Sequence, residues 1–150
     1  LLLSMLGQPA MALSCMRPSV AQTFQTLNAA EETYVIVHGT FEPLPGGPTE
    51  PAGDVNDRQS YDLQARFRGD LATAMGFDRS IDVIVTVEIG CAGPWCGTVP
   101  EGDVIAFLER REEGFAFSAG PCPFGALPAT PEAEALALSC LRAGPCETAS

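Results

Sequence analysis

Six cysteines in a chain of 150 residues constrain the fold more than any other feature. They stand at Cys15, Cys91, Cys96, Cys122, Cys140 and Cys146. An even set of thiols in a small chain reads as a disulfide framework, although the spacing alone leaves many connectivities open. A zinc site would need thiolates about two to four residues apart, or companion histidines. Here the close pairs are C-x4-C and C-x5-C, and His38 is the sole histidine. No metal site and no cofactor are expected.

Disulfides require an oxidising compartment, and the N-terminal residues agree with one. Leu1 to Leu6, then Gly7-Gln8-Pro9 and Ala10-Met11-Ala12, read as the end of an apolar export segment with its small-residue cleavage site. Residues 1–12 are expected to be the remnant of a signal peptide. Cleavage after Ala12 starts the mature chain at Leu13-Ser14-Cys15, and cleavage after Ser14 starts it at Cys15. Elsewhere no apolar run approaches the roughly 18 residues of a spanning helix, so no integral membrane segment is expected after removal of the signal. The expected location is secreted or periplasmic.

Charge narrows the choice of partner. The chain carries 19 acidic residues against 8 basic ones, all of them Arg, for a net charge of −11. Nucleic-acid binding rests on Lys and Arg neutralising phosphates, and anionic lipid surfaces demand the same sign. Neither partner suits this chain. With 46% hydrophobic residues, it can bury a core of about one domain.

Periodicity gives the elements. Ser19 followed by Gln22 resembles a capping box, and Val20, Phe24 and Leu27 share a face, which predicts a short helix over 19–28 lying flat on a sheet. From Thr33 the period becomes two: Tyr34, Ile36 and His38 alternate with Val35, Val37 and Phe41. Gly39 interrupts this strand as a bulge or barrel bend would. Residues 44–57, rich in Pro, Gly and Asp, read as an exposed loop. Further strands are predicted with Tyr61, Leu63, Ala65 and Phe67 inward, and with Ile81, Val83, Val85, Val87 and Ile89 on one face. Two more follow over 103–110 and 114–119, joined by a charged turn at Arg111-Glu112-Glu113. Thr130 as N-cap and Pro131 at the first helical position open a last helix, with Ala133, Leu136, Ala137, Cys140 and Leu141 on one face and Gly144 as its stop.

Five strands between two helices predict a mainly β fold, a five-stranded OB-fold barrel with a short N-terminal helix and a C-terminal helix. An immunoglobulin-type sandwich would need about seven strands and a tryptophan in the core. Trp95 instead lies in a Gly/Pro loop beside Cys96.

The order of these features resembles a known family. Cys15-Met16-Arg17-Pro18, a short helix ending near Phe24 and a strand reading YVIVHGTFEP are similar to the start of the netrin-like domains. These OB-folds include the tissue inhibitors of metalloproteinases. CAGPWCGTVPEGDVIAFL followed by EGFAFSAGPC is similar to the family's later strands and closing cysteine, so the resemblance spans roughly residues 13–124 and suggests a bacterial-type secreted member. It implies a netrin-like domain over 13–129, with residues 130–150 forming a disulfide-stapled helix packed on it.

The resemblance also implies a Cys15–Cys122 bridge, which leaves Cys91–Cys96 to close a small loop. The rival pairing is Cys15–Cys96 with Cys91–Cys122. Cys140 and Cys146 bridge the end of the last helix in either case. The inhibitors chelate zinc through a first cysteine that stands where this chain has Leu13. A free Leu13 would still offer an amine and a carbonyl, but without the disulfide that makes them rigid. Inhibitors of this kind make contact through the N-terminal arm and the loop beside it. The contact edge implied here is Leu13, Ser14, Cys15 and Met16 with Pro94 and Trp95, the tryptophan serving either as an interface anchor or as a cover over the barrel end.

Catalytic chemistry finds little support in the residues. His38 lies mid-strand with no nucleophile at motif spacing and reads as a structural histidine. Cys91 and Cys96 lack the C-x-x-C spacing of redox enzymes. Asp54, Asp57, Glu112 and Glu113 lack the pattern of a calcium loop and read as solvated acids. The chain is expected to be an exported, non-enzymatic module that binds a protein or envelope component. A metalloprotease inhibitor acting through the mature N-terminus is the alternative, and a small exported metal carrier or enzyme the second.

Overall fold

The computed structural model describes residues 13–147. The export remnant expected over 1–12, and residues 148–150 of the expected C-terminal unit, lie outside them.

Helix α1 (Val20–Asn28) starts where Ser19 accepts a hydrogen bond from the Gln22 N–H through its hydroxyl. Strands β1 (Thr33–Pro43), β2 (Tyr61–Thr73) and β3 (Gly76–Ile89) form an antiparallel meander. Strands β4 (Val104–Arg111) and β5 (Gly114–Ala119) form a hairpin. β5 runs parallel to β3 and β4 runs antiparallel to β1, so the order β1-β2-β3-β5-β4 closes on itself. The protein is a five-stranded OB-fold-like barrel with a helix at each end of the chain.

β1 makes the closure possible because it serves two neighbours. Thr33–Gly39 pair with β4, and Val37–Pro43 pair with β2. Gly39 stands opposite Gly69 within the shared stretch. A Cβ on Gly39 would meet the carbonyl oxygen of Arg68, and one on Gly69 the carbonyl oxygen of His38. The glycine seen in the sequence is therefore the point where β1 bends round the barrel and its backbone approaches β2 closely.

Alternation along the strands separates two cores. Val37, Phe41, Leu63, Ala65, Phe67, Val85, Val87, Ile89, Leu108 and Phe117 fill the barrel. Phe41 lies edge-on to Phe67 at 4.9 Å between ring centres. The opposite face of β1 and β4, through Ile36, Ile105 and Phe107, packs under Val20 and Phe24 of α1 and under Ala137 of helix α2 (Pro131–Leu141). This double cover explains why all of Val104–Leu108 is buried: a strand covered on both faces reads as an apolar run rather than an alternation.

Several details differ from the sequence reading. A short strand β6 (Ala126–Pro128) pairs with the outer edge of β4, in a Gly/Pro stretch that carries no strand signal. The exposed loop over 44–57 includes a two-residue ribbon, Gly53–Asp54 with Asp57–Arg58. α2 ends at Leu141, which is 40% exposed instead of lying on the buried face. The left-handed residue that ends the helix is Ala143, at φ 56°, one position before Gly144. Gly144 donates its N–H to Ser139 and Ala143 donates to Cys140, the paired bonds of a Schellman turn.

Candidate binding edge

Because β3 and β5 run parallel, the segments that follow them leave from the same end of the barrel. After β3, Cys91–Ala92 folds back on Trp95–Cys96 as a two-residue ribbon. The Cys91–Cys96 disulfide closes this ribbon directly across its base. Its turn is tied to the neighbouring loop by the Arg58 N–H, which donates to the Gly93 carbonyl at 3.0 Å. After β5 the chain reaches Cys122, which is bonded to Cys15 of the N-terminal arm. Cys140 pairs with Cys146, so all six cysteines are oxidised, in the pairing that the netrin-like resemblance implies.

The arm is fastened a second time through α1. Thr23 is fully buried, and its hydroxyl donates to the Phe124 carbonyl at 2.8 Å. The segment Pro121–Gly125 is thus held by a covalent bridge on one side and a partly buried hydrogen bond on the other. Thr23 carries no sequence signal, since its partner lies 101 residues away.

This end of the barrel presents apolar side chains to water. Met16 is 76% exposed, Leu13 38%, Phe124 40% and Trp95 36%. Ser14, Cys15 and Pro94 are also exposed. Trp95 does not fold back as a full cover over the core; it stands opposite Ala92 on the stapled ribbon. Between the segment that follows the ribbon and the stretch that follows β5 lies a cleft of about 460 Å³. Cys96 and Cys122, one from each bridged segment, line it, while Phe117 and Val104 contribute apolar surface. Of the expected contact residues, Cys15 is bonded to a lining residue and Trp95 precedes one. Neither the cleft nor the exposure of Phe124 carries a local sequence signal.

His38 proves to be a fastening. Its Nε2 lies 2.7 Å from Asp103 and its Nδ1 2.5 Å from Glu134. β1, the start of β4 and the first turn of α2 are thereby joined. Partial burial pulls the imidazole pKa down, but the hydrogen bonds and charges of Asp103 and Glu134 outweigh it and raise the pKa above the ordinary value. Both ring nitrogens face carboxylates, which leaves neither available to activate a nucleophile.

The outer face of β2 and β3, where OB-folds of the oligonucleotide-binding kind carry their ligand, holds paired charges here. Arg66 of β2 makes a two-pronged contact with Asp82 of β3 at 2.7 and 2.6 Å, and Glu88 of β3 is paired with Arg111 at the end of β4, which also contacts Glu109. Among the described residues no group of three or more His, Cys, Asp or Glu side chains is gathered to hold a metal ion. No described helix is long and apolar enough to cross a membrane. No protein family, curated protein or solved structure matches the chain.

Proposed function

We propose that this is an exported, non-enzymatic netrin-like module that recognises a protein or another envelope component through the disulfide-bonded end of its barrel. The observation that carries the reading is the placement of exposed Leu13, Met16, Trp95 and Phe124 on segments held rigid by Cys15–Cys122 and Cys91–Cys96. Apolar side chains left in water gain free energy when a partner covers them, and a segment already rigid loses little entropy in the process. Three disulfides suit a location outside the reducing cytosol, secreted or periplasmic.

Metalloprotease inhibition through a mature N-terminus at Leu13 is the second reading. It is supported by the same bridged arm and opposed by the lack of a cysteine at position 13.

Photocross-linking tests the first reading. A photoreactive side chain at position 95 or 16 of the exported protein is expected to trap a discrete partner, whereas one at Arg79, on the far end of β3, is not. Trp95→Ala is expected to weaken that association by roughly tenfold to a hundredfold. Adducts from Arg79 alone would overturn the proposal. Stoichiometric inhibition of a metzincin by a chain starting at Leu13 would replace it with the second reading.

A further inference from the structure

The cleft is a place where the barrel wall is open. β4 pairs with β5 only from Glu109 to Arg111, and toward its start it pairs with β6 instead, through Val104–Ala106. Among the described residues, the second half of β5 therefore has no strand paired with it on that side. Backbone direction alternates along a strand, and the Ala119 carbonyl accepts from the Gly90 N–H next to β3. Ser118 consequently turns its N–H and C=O the other way, toward the opening.

The facing strand alternates in the same way. On either side of β6 the Gly125 carbonyl accepts from the Phe107 N–H and the Ala129 N–H donates to the Asp103 carbonyl, so odd-numbered residues of this stretch face β4. Ala126 then directs its N–H and C=O, and Pro128 its C=O, into the opening. Phe117, Ser118, Ala126 and Pro128 all line the one cleft. Two strand edges with backbone groups of both kinds face each other across an apolar floor. Glu101, exposed at the rim, makes no ion pair among the described residues.

We propose that the seam between β5 and β6 takes up an extended segment of another protein as an added strand. The segment is hydrogen-bonded to the backbone of Ser118 and Ala126, with a cationic side chain directed to Glu101. This deepens the binding function proposed above and rests on it. Strand addition draws affinity from main-chain hydrogen bonds and specificity from pockets for alternate side chains. Small or β-branched residues suit a floor made by Phe117 and Val104. The net charge of −11 favours a basic partner sequence over an acidic one. Pro121, Pro123 and Pro128 offer no N–H, so the seam's own walls cannot zip together as a regular ladder.

The test uses the full chain, 15N-labelled and oxidised, with an acetylated, amidated hexapeptide of alternating Val and Thr that bears one terminal Arg. Saturable shifts and slowed hydrogen exchange are expected at the amides of Ser118 and Ala126. Methylating alternate peptide nitrogens is expected to weaken binding about tenfold or more. Glu101→Arg, an exposed change that leaves the core intact, should weaken the Arg peptide and strengthen an Asp-bearing one. Silence at both amides up to about 1 mM peptide, or equal binding of the methylated peptide, would overturn the proposal. So would concentration-dependent shifts at Ser118 without peptide, because a second copy of the chain would then fill the seam. A partner still trapped from position 95 while the seam stays silent would leave the binding function standing and remove only this site.

Discussion

Ala143 and His38 show how single residues acquire a meaning that their neighbours in sequence do not supply. Ala143 adopts φ 56°, a region in which a Cβ is strained and glycine is not. Ala143→Gly is expected to stabilise the protein by about 0.5–1 kcal/mol, read as a higher denaturant midpoint with an unchanged slope. His38 holds its proton more tightly when folded than at the ordinary histidine value of 6.5. Its contribution to stability is therefore complete below that value and is lost as pH rises through the higher folded pKa. Thermal midpoints are expected to fall over that upward range, and His38→Gln should remove this part of the pH dependence. The sequence indicated a structural histidine, because no nucleophile stood near it. It could not indicate Asp103 and Glu134, which reach the ring only through the closure of the barrel and the docking of α2.

Elements were legible wherever a local pattern suffices. α1 was visible from Ser19 and its apolar spacing, and β2 and β3 from strict alternation, since each needs only neighbours within a few residues. β6 was not visible, because Ala126–Pro128 becomes a strand only when the edge of β4 lies beside it. The Cys15–Cys122 bridge spans 107 residues and joins an irregular arm to an irregular segment. Replacing both cysteines with serine is expected to cost about 4–5 kcal/mol in the chain-entropy account, measured by chemical denaturation. The arm should then be the first segment to exchange its amide hydrogens, while the Thr23–Phe124 bond retains part of the order at Phe124.

At the scale of the whole molecule, an even number of cysteines pointed to a disulfide framework, and the structure holds three bridges. Alternation and helix caps carried the chain to a mainly β barrel flanked by two helices, because those signals are local and repeat along the strands. What tertiary structure alone decided is the make-up of the proposed binding end. Parallel pairing of β3 with β5 brings the Cys91–Cys96 ribbon and the Cys15–Cys122 arm to one rim, and the divergence of β4 toward β6 leaves the seam between them open. Those contacts join residues far apart in the chain, and sequence periodicity records only which way a side chain faces, not which strand lies beside it.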